Sequence, residues 1–140
     1  MRISRTVAYA VRATIELAKN ESTAPVPCSQ LAAAGEMPER FLLQILRNLV
    51  THGILRSSRG VDGGYTLTRR PADVSLLDLI EAIEGPLDAH PDRLDGLPSE
   101  IHGTIQEAMR NITSTARRQL EAIKISQFMP PTYQETKAAG

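Results

Sequence analysis

Arg56-Ser-Ser-Arg59-Gly60-Val-Asp62-Gly63-Gly64-Tyr65-Thr-Leu67 is the stretch whose reading decides the fold. Ile54-Leu55 before it and Tyr65-Thr66-Leu67 at its end are short runs of strand-forming residues. Gly60, Asp62, Gly63 and Gly64 between them give the backbone the freedom that a tight turn demands. The spacing predicts a two-stranded hairpin with Arg59 near its tip. Directly upstream, Pro38 to His52 carries a helical apolar period that stops at Gly53. A helix followed at once by a basic hairpin is the arrangement of a winged helix-turn-helix. In such a fold the helix enters the major groove of DNA, and the wing lies over the backbone or enters the minor groove.

In the Pro38–His52 segment, Leu42, Ile45, Leu46 and Leu49 share one helical face, whereas Arg40, Leu43, Gln44, Arg47 and Thr51 centre on the opposite one. Arginine and glutamine are the side chains that bind guanine and adenine edges bidentately. An ordinary solvated face would look similar, so the helix argues for DNA only in company with the wing. Upstream, Val7, Val11, Ile15 and Ala18 recur at helical spacing from Ser4 to Lys19, with Ala8, Ala10 and Ala13 filling in and Ser4 as cap. Pro25-Val26-Pro27 reads as extended chain. A short helix from Cys28 to Ala34 is stopped by Gly35, and Pro38 suits the first turn of the next.

Downstream, Ser75-Leu76-Leu77-Asp78 has the form of a capping box and opens a helix to Glu84 with Leu76, Leu79, Ile80 and Ile83 inward. Pro86 to Pro98 has no apolar period and reads as a loop. From Ser99 to about Ile123 a long helix carries a stripe of Ile101, Ile105, Ala108, Met109, Ile112, Ala116, Leu120 and Ile123. A small domain has no partner left for so long a stripe, so a second subunit is expected to cover it. The chain thus divides into a DNA-binding winged helix-turn-helix (1–85), a loop (86–98), a dimerisation helix (99–129) and a flexible tail (130–140).

The 140 residues suffice for one core, and 41% hydrophobic with 23% charged content is ordinary for a soluble chain. No apolar run approaches the ~18 residues of a membrane span, and no signal-peptide core opens the sequence. One cysteine permits no internal disulfide. A cytoplasmic location and no membrane partner are expected. The net charge is zero, yet residues 1–70 carry +5 and residues 71–140 carry −5. Such asymmetry is the footprint of a polyanion-binding face that the average conceals.

The order of motifs resembles the family of bacterial winged-helix regulators that includes IscR, NsrR and CymR. The likeness spans about residues 1 to 129. It rests on Arg2-Ile3-Ser4 with Tyr9-Ala10-Val11-Arg12-Ala13, on Pro25-Val26, on Glu39-Arg40-Phe41-Leu42-Leu43-Gln44-Ile45-Leu46, on Leu49 and Gly53-Ile54-Leu55, on Ser58-Arg59-Gly60 with Gly63-Gly64-Tyr65, and on Ser75-Leu76 with Ile83-Glu84-Gly85. The resemblance implies a mostly α fold with a two-stranded wing, acting as a homodimeric transcriptional repressor on a palindromic operator in double-stranded DNA. It implies phosphate contacts from Ser4, Arg5 and Tyr9 and a major-groove segment from Pro38 through Glu39, Arg40, Leu43, Gln44 and Arg47 to Asn48. It also implies a wing formed by Arg56, Ser58, Arg59, Gly60, Gly63, Gly64 and Tyr65, with Arg59 at its tip. Dimerisation would fall to Ile101, Ile105, Met109, Ile112, Leu120 and Ile123.

Two departures change what is carried over. Relatives often have a glutamate where this chain has Leu43, which could instead meet a thymine methyl. Cluster-binding relatives place three cysteines in the loop before the long helix, and Pro86–Pro98 contains none. Cys28 alone is too few for a cysteine-ligated cluster, so no cofactor is expected. His90 with Asp88, Asp92 and Asp95 reads as a solvated acidic loop rather than a metal site. Cys28 is either a redox-active thiol near a helix start or, more commonly for free cysteine, a small core residue. His52 and His102 have no catalytic partners, and no nucleophile–base pattern or phosphate loop occurs, which weighs against an enzyme. The competing reading is a winged-helix module that docks a protein. A response to a small molecule, to a partner protein or to thiol state is also expected.

Overall fold

Helix α3 (Glu39–Thr51) forms because Leu42, Ile45, Leu46 and Leu49 recur on one face, and all four are buried. The computed structural model describes residues 2–20, 22–88 and 95–131. Around α3 gather α1 (Arg5–Lys19), α2 (Cys28–Gly35), the strands β1 (Leu55–Ser58) and β2 (Gly64–Leu67), α4 (Leu76–Glu84) and the long α5 (Ser99–Ala122). One-turn 3₁₀ segments lie at Pro71–Asp73 and Ile125–Phe128. The strands pair antiparallel in the register Leu55–Leu67, Arg56–Thr66, Ser57–Tyr65 and Ser58–Gly64. The described residues therefore form a mostly helical winged helix-turn-helix, as expected.

Helix α1 buries Val7 and the smaller residues Ala10 and Ala13 of the expected set, but not its larger members. Val7, Ala10, Ala13, Thr14 and Leu17 are buried, whereas Val11, Ile15 and Ala18 are only half-buried. Small alanines let α2 and α4 approach closely, and that proximity outweighs the larger side chains one position away. Thr14 is tolerated there because its hydroxyl donates to the Ala10 carbonyl at 2.7 Å. In α2 the left-handed terminating residue is Glu36 (φ 52°), not Gly35, which remains helical. The capping box of α4 is complete: Ser75 Oγ accepts from the Asp78 amide at 3.0 Å and Asp78 Oδ2 accepts from the Ser75 amide at 2.9 Å. Leu77, Leu79, Ile80 and Ala82 are its buried residues, with Leu76 and Ile83 half-buried.

The long helix ends one residue before the expected limit. Ile123 is extended and outside α5. Its carbonyl accepts from the Leu76 amide at 2.8 Å, and the Ile125 amide donates to the Val74 carbonyl at 2.9 Å. These bonds turn the chain back onto the winged domain, where Ile125 and Met129 are buried. Residues after the helix thus belong to the first core, which the division at residue 99 did not anticipate.

Candidate nucleic-acid interface

On the outer face of α3, Arg40, Gln44 and Arg47 are exposed, and Leu43 and Asn48 are half-buried. Gln44 Nε2 donates to Asn48 Oδ1 at 3.3 Å. That bond orients both amides while leaving the Gln44 carbonyl and the Asn48 NH₂ available. Thr51 is spent inside the helix, its hydroxyl donating to the Arg47 carbonyl at 3.0 Å. Pro38 is the N-cap and supplies no side-chain cap, so the first amides of α3, at Glu39, Arg40 and Phe41, lack side-chain acceptors. A solvent-facing helix start with open N–H groups favours an anion.

The wing is set against α3 by its own pairing. Tyr65 exchanges backbone hydrogen bonds with Val26 at 2.9 and 3.0 Å, so the Pro25–Pro27 segment borders β2. Gly64 is required by this close approach, since an added Cβ would fall on the Val26 carbonyl. Gly60 holds φ 103° at the tip, a region that favours glycine. Arg56, Ser58 and Arg59 are exposed. Burial first, and then Cys28, push the Tyr65 phenol above its ordinary value against the nearby Arg47 guanidinium. At the start of α1, Ser4 Oγ accepts from the Val7 amide at 3.2 Å, which leaves its O–H free to donate. Arg5 beside it is exposed and Tyr9 is half-buried.

Ion pairing separates the arginines into two groups. Arg12 with Glu16, Arg69 with Asp78, Arg70 with Asp73 and Arg117 with Glu81 are paired inside the fold. Arg2, Arg5, Arg40, Arg47, Arg56, Arg59, Arg110 and Arg118 have no ion pair among the described residues. The first six belong to the start of α1, the outer face of α3 and the wing, and the last two to α5. The first six offer planar donor forks whose capacity the fold does not consume.

Some features were not legible as site residues. Phe41 is 63% exposed on α3. Its sequence signal is that it falls off the Leu42–Leu49 face, although it was read only as part of a motif. Arg2, quoted only within a motif, is among the unpaired arginines. Of the expected dimer residues, Ile101, Met109 and Ile112 are exposed, Ile105 and Leu120 are half-buried, and α5 has no buried residue. Ile123 is half-buried against the winged domain, outside the helical stripe.

The fit of a metal or cluster was tested on the donor set. Cys28 is the single cysteine of the sequence. Its thiol is half-buried, donates to the Glu39 carbonyl at 3.8 Å, and is pushed above its ordinary value by burial and then by the Glu39 carboxylate. That is the opposite of a low-pKa thiolate. No group of three potential ligands occurs among the described residues. His90 and Asp92 lie outside them. The residues present do not fit a cysteine-ligated cluster. Among the described residues no helix is long and apolar enough to cross a membrane.

A trihelical core, a helix with an open donor-rich face and a glycine-turned basic wing define a winged helix-turn-helix protein of the nucleic-acid-binding kind. The sequence profile of the Rrf2 family, described as an iron-dependent transcriptional regulator, matches residues 3–131, and the chain belongs to that family. The HTH-type transcriptional regulator CymR of Bacillus subtilis is 33% identical over 114 residues, covering 80% of this chain and 83% of its own. The solved structure of B. subtilis CymR, titled a global cysteine regulator, aligns with TM-score 0.72 at 25% identity over 91% of this chain and 95% of its own. A Mycobacterium tuberculosis regulator of the helix-turn-helix type, Rv1287, is 45% identical over 87 residues, 62% of this chain. The match spans about half the length of that relative, 54%. These relatives are named as transcriptional regulators.

Proposed function

We propose that this chain is a homodimeric, sequence-specific DNA-binding repressor that works without an iron–sulfur cluster. The observation that carries the reading is the set of six unpaired arginines on the α1 start, α3 and the wing. Arg40, Gln44 and Asn48 on α3 read base edges in the major groove, with Leu43 against a thymine methyl and Pro38, Glu39 and Arg47 flanking them. Ser4, Arg5 and Tyr9 hold phosphates. Arg56, Ser58 and Arg59 engage the backbone or minor groove, with Gly60, Gly63, Gly64 and Tyr65 shaping the wing.

Residues 1–85 serve as the reading head and α5 as the dimer arm. The Ile101–Leu120 stripe supports this, because none of it is fully buried by the described residues. A dimer places two reading heads on two half-sites about one DNA turn apart, which accounts for a palindromic operator. An effector sets the occupancy of that operator. Repression rather than activation is taken from the resemblance to other winged-helix regulators.

Selection of bound duplexes from a random pool tests the reading. Enrichment of a palindromic site is expected, and recovery of no motif would remove it. Purified anaerobically with iron and sulfide supplied, the protein is expected to be colourless. A stoichiometric brown chromophore would overturn the absence of a cluster.

A further inference from the structure

Between the end of α1 and the base of the wing lies an open cavity of about 700 Å³, walled on one side by Leu17, Ala18, Leu67 and Pro71. Its rim carries three guanidiniums, from Arg56, Arg69 and Arg70, and no carboxylate lines it among the described residues. Arg69 is tied to Asp78 at 3.3 Å and Arg70 to Asp73 at 2.9 Å, whereas Arg56 is unpaired. Thr66, which stands opposite Arg56 in the hairpin register, also lines the cavity. Its Oγ1 is buried and finds no hydrogen-bond partner among the described residues. A small side-chain shift that uncovered this hydroxyl would let a polar ligand atom remove the cost of leaving it without a partner.

An apolar wall with a few convergent polar groups, in a volume of this order, is the form of a small-molecule site. An excess of guanidinium sets the sign of the ligand's charge, and the planar fork of Arg56 matches a carboxylate. The apolar wall excludes a bare inorganic anion as the best occupant. We infer that this cavity binds a small organic carboxylate with an apolar body, its head group at Arg56 and Thr66 and its body on Leu17 and Leu67.

The regulatory consequence rests on the DNA-binding reading given above, but the site does not. Arg56 cannot neutralise a DNA phosphate and a ligand carboxylate together, so the two ligands antagonise each other. By linkage, each weakens the other's affinity by the same factor. The carboxylate is thus an inducer that lifts the wing's contribution to DNA binding.

Benzoate titrated into the full chain, followed by backbone amide shifts, tests the site without DNA. Saturable shifts at Asn20, Thr66 and Thr68 at roughly millimolar affinity are expected, with benzyl alcohol and benzylamine giving none. Ala18→Phe, which fills the cavity, is expected to abolish them, and Arg56→Gln at an exposed position to weaken binding about tenfold or more, the scale of one charge-assisted hydrogen bond. Equal shifts with benzyl alcohol, or benzoate binding unchanged in Arg56→Gln, would overturn the site even if Ala18→Phe failed to fold. Repeating the titration with operator duplex bound tests the antagonism, and unchanged benzoate affinity would overturn it. A chain that binds no duplex would sink the DNA reading while the free-protein titration still decided the cavity.

Discussion

Arg117 and Arg59 use the same guanidinium in opposite ways. Arg117, in α5, donates through Nη1 to Glu81 Oε2 at 2.8 Å and to the Leu87 carbonyl at 3.0 Å, so it fastens the long helix to α4. Arg59, at the wing, has no ion pair among the described residues. The halves differ likewise in apolar surface. The amino-terminal half closes a core over Leu42, Ile45, Leu46 and Leu49, whereas α5 has no fully buried residue. One half has finished its apolar packing and keeps six arginines open; the other ties Arg117 inward and keeps its apolar stripe open. The first is suited to a polyanion and the second to another copy of itself.

The largest expected effect comes from breaking the apolar side of that contrast. Ile105→Asp with Ile112→Asp removes four isoleucines from the proposed dimer seam, each contributing roughly 1.5–3 kcal/mol when buried. Sedimentation should show a folded monomer that binds a palindromic duplex at least about a thousandfold more weakly. A double variant that stays dimeric would place the interface elsewhere. Next in size is Ile125→Ala, which attacks the point where the two halves join. Ile125 is fully buried, so a loss of about 2–5 kcal/mol in unfolding free energy is expected. Denaturation with no shift would show that the return of the chain after α5 does not hold the domain.

Arg40→Ala and Gln44→Ala sharpen the charge side. Each should cost about 1–3 kcal/mol at particular base pairs and leave other positions untouched, as scored on a panel of single-base operator variants. Uniform weakening would assign them to phosphates. The smallest effect belongs to the lock. Burial raises the Glu81 carboxyl, but the Arg117 hydrogen bond, the Leu87 amide and the Arg117 charge outweigh it, and it lies below its ordinary 4.5. A depressed carboxyl stabilises the fold above its unfolded value and loses that contribution as pH falls through its folded value. The stability gap between the native chain and Glu81→Gln should therefore be present at neutral pH and shrink below pH 4.5. A gap independent of pH would mean that the pairing contributes nothing.

Much of the winged fold was legible because local signals agreed. The Leu42–Leu49 period, the Gly60–Gly64 turn and the Ser75–Asp78 cap each specify a backbone without help from distant residues. The α1 stripe was partly misjudged because burial there is decided by how close α2 and α4 come, and small Ala10, Ala13 and Thr14 allow that approach. Ile125 and Met129 gave no period at all, since a 3₁₀ turn of four residues is too short to show one. At the interface, residue types were readable from sequence. Which arginines remain unpaired was not, because Arg69–Asp78 and Arg117–Glu81 join residues distant in the chain.

The account rests on the unpaired wing arginine meeting DNA, and the salt dependence of binding by Arg59→Ala tests it most directly. Operator affinity measured across a salt series should fall for the variant, with the slope of log affinity against log salt shallower by about one unit. If Arg59 reads a narrow minor groove, the loss should be greatest on A·T-rich sites. Affinity and slope equal to those of the native chain on every duplex would contradict the account.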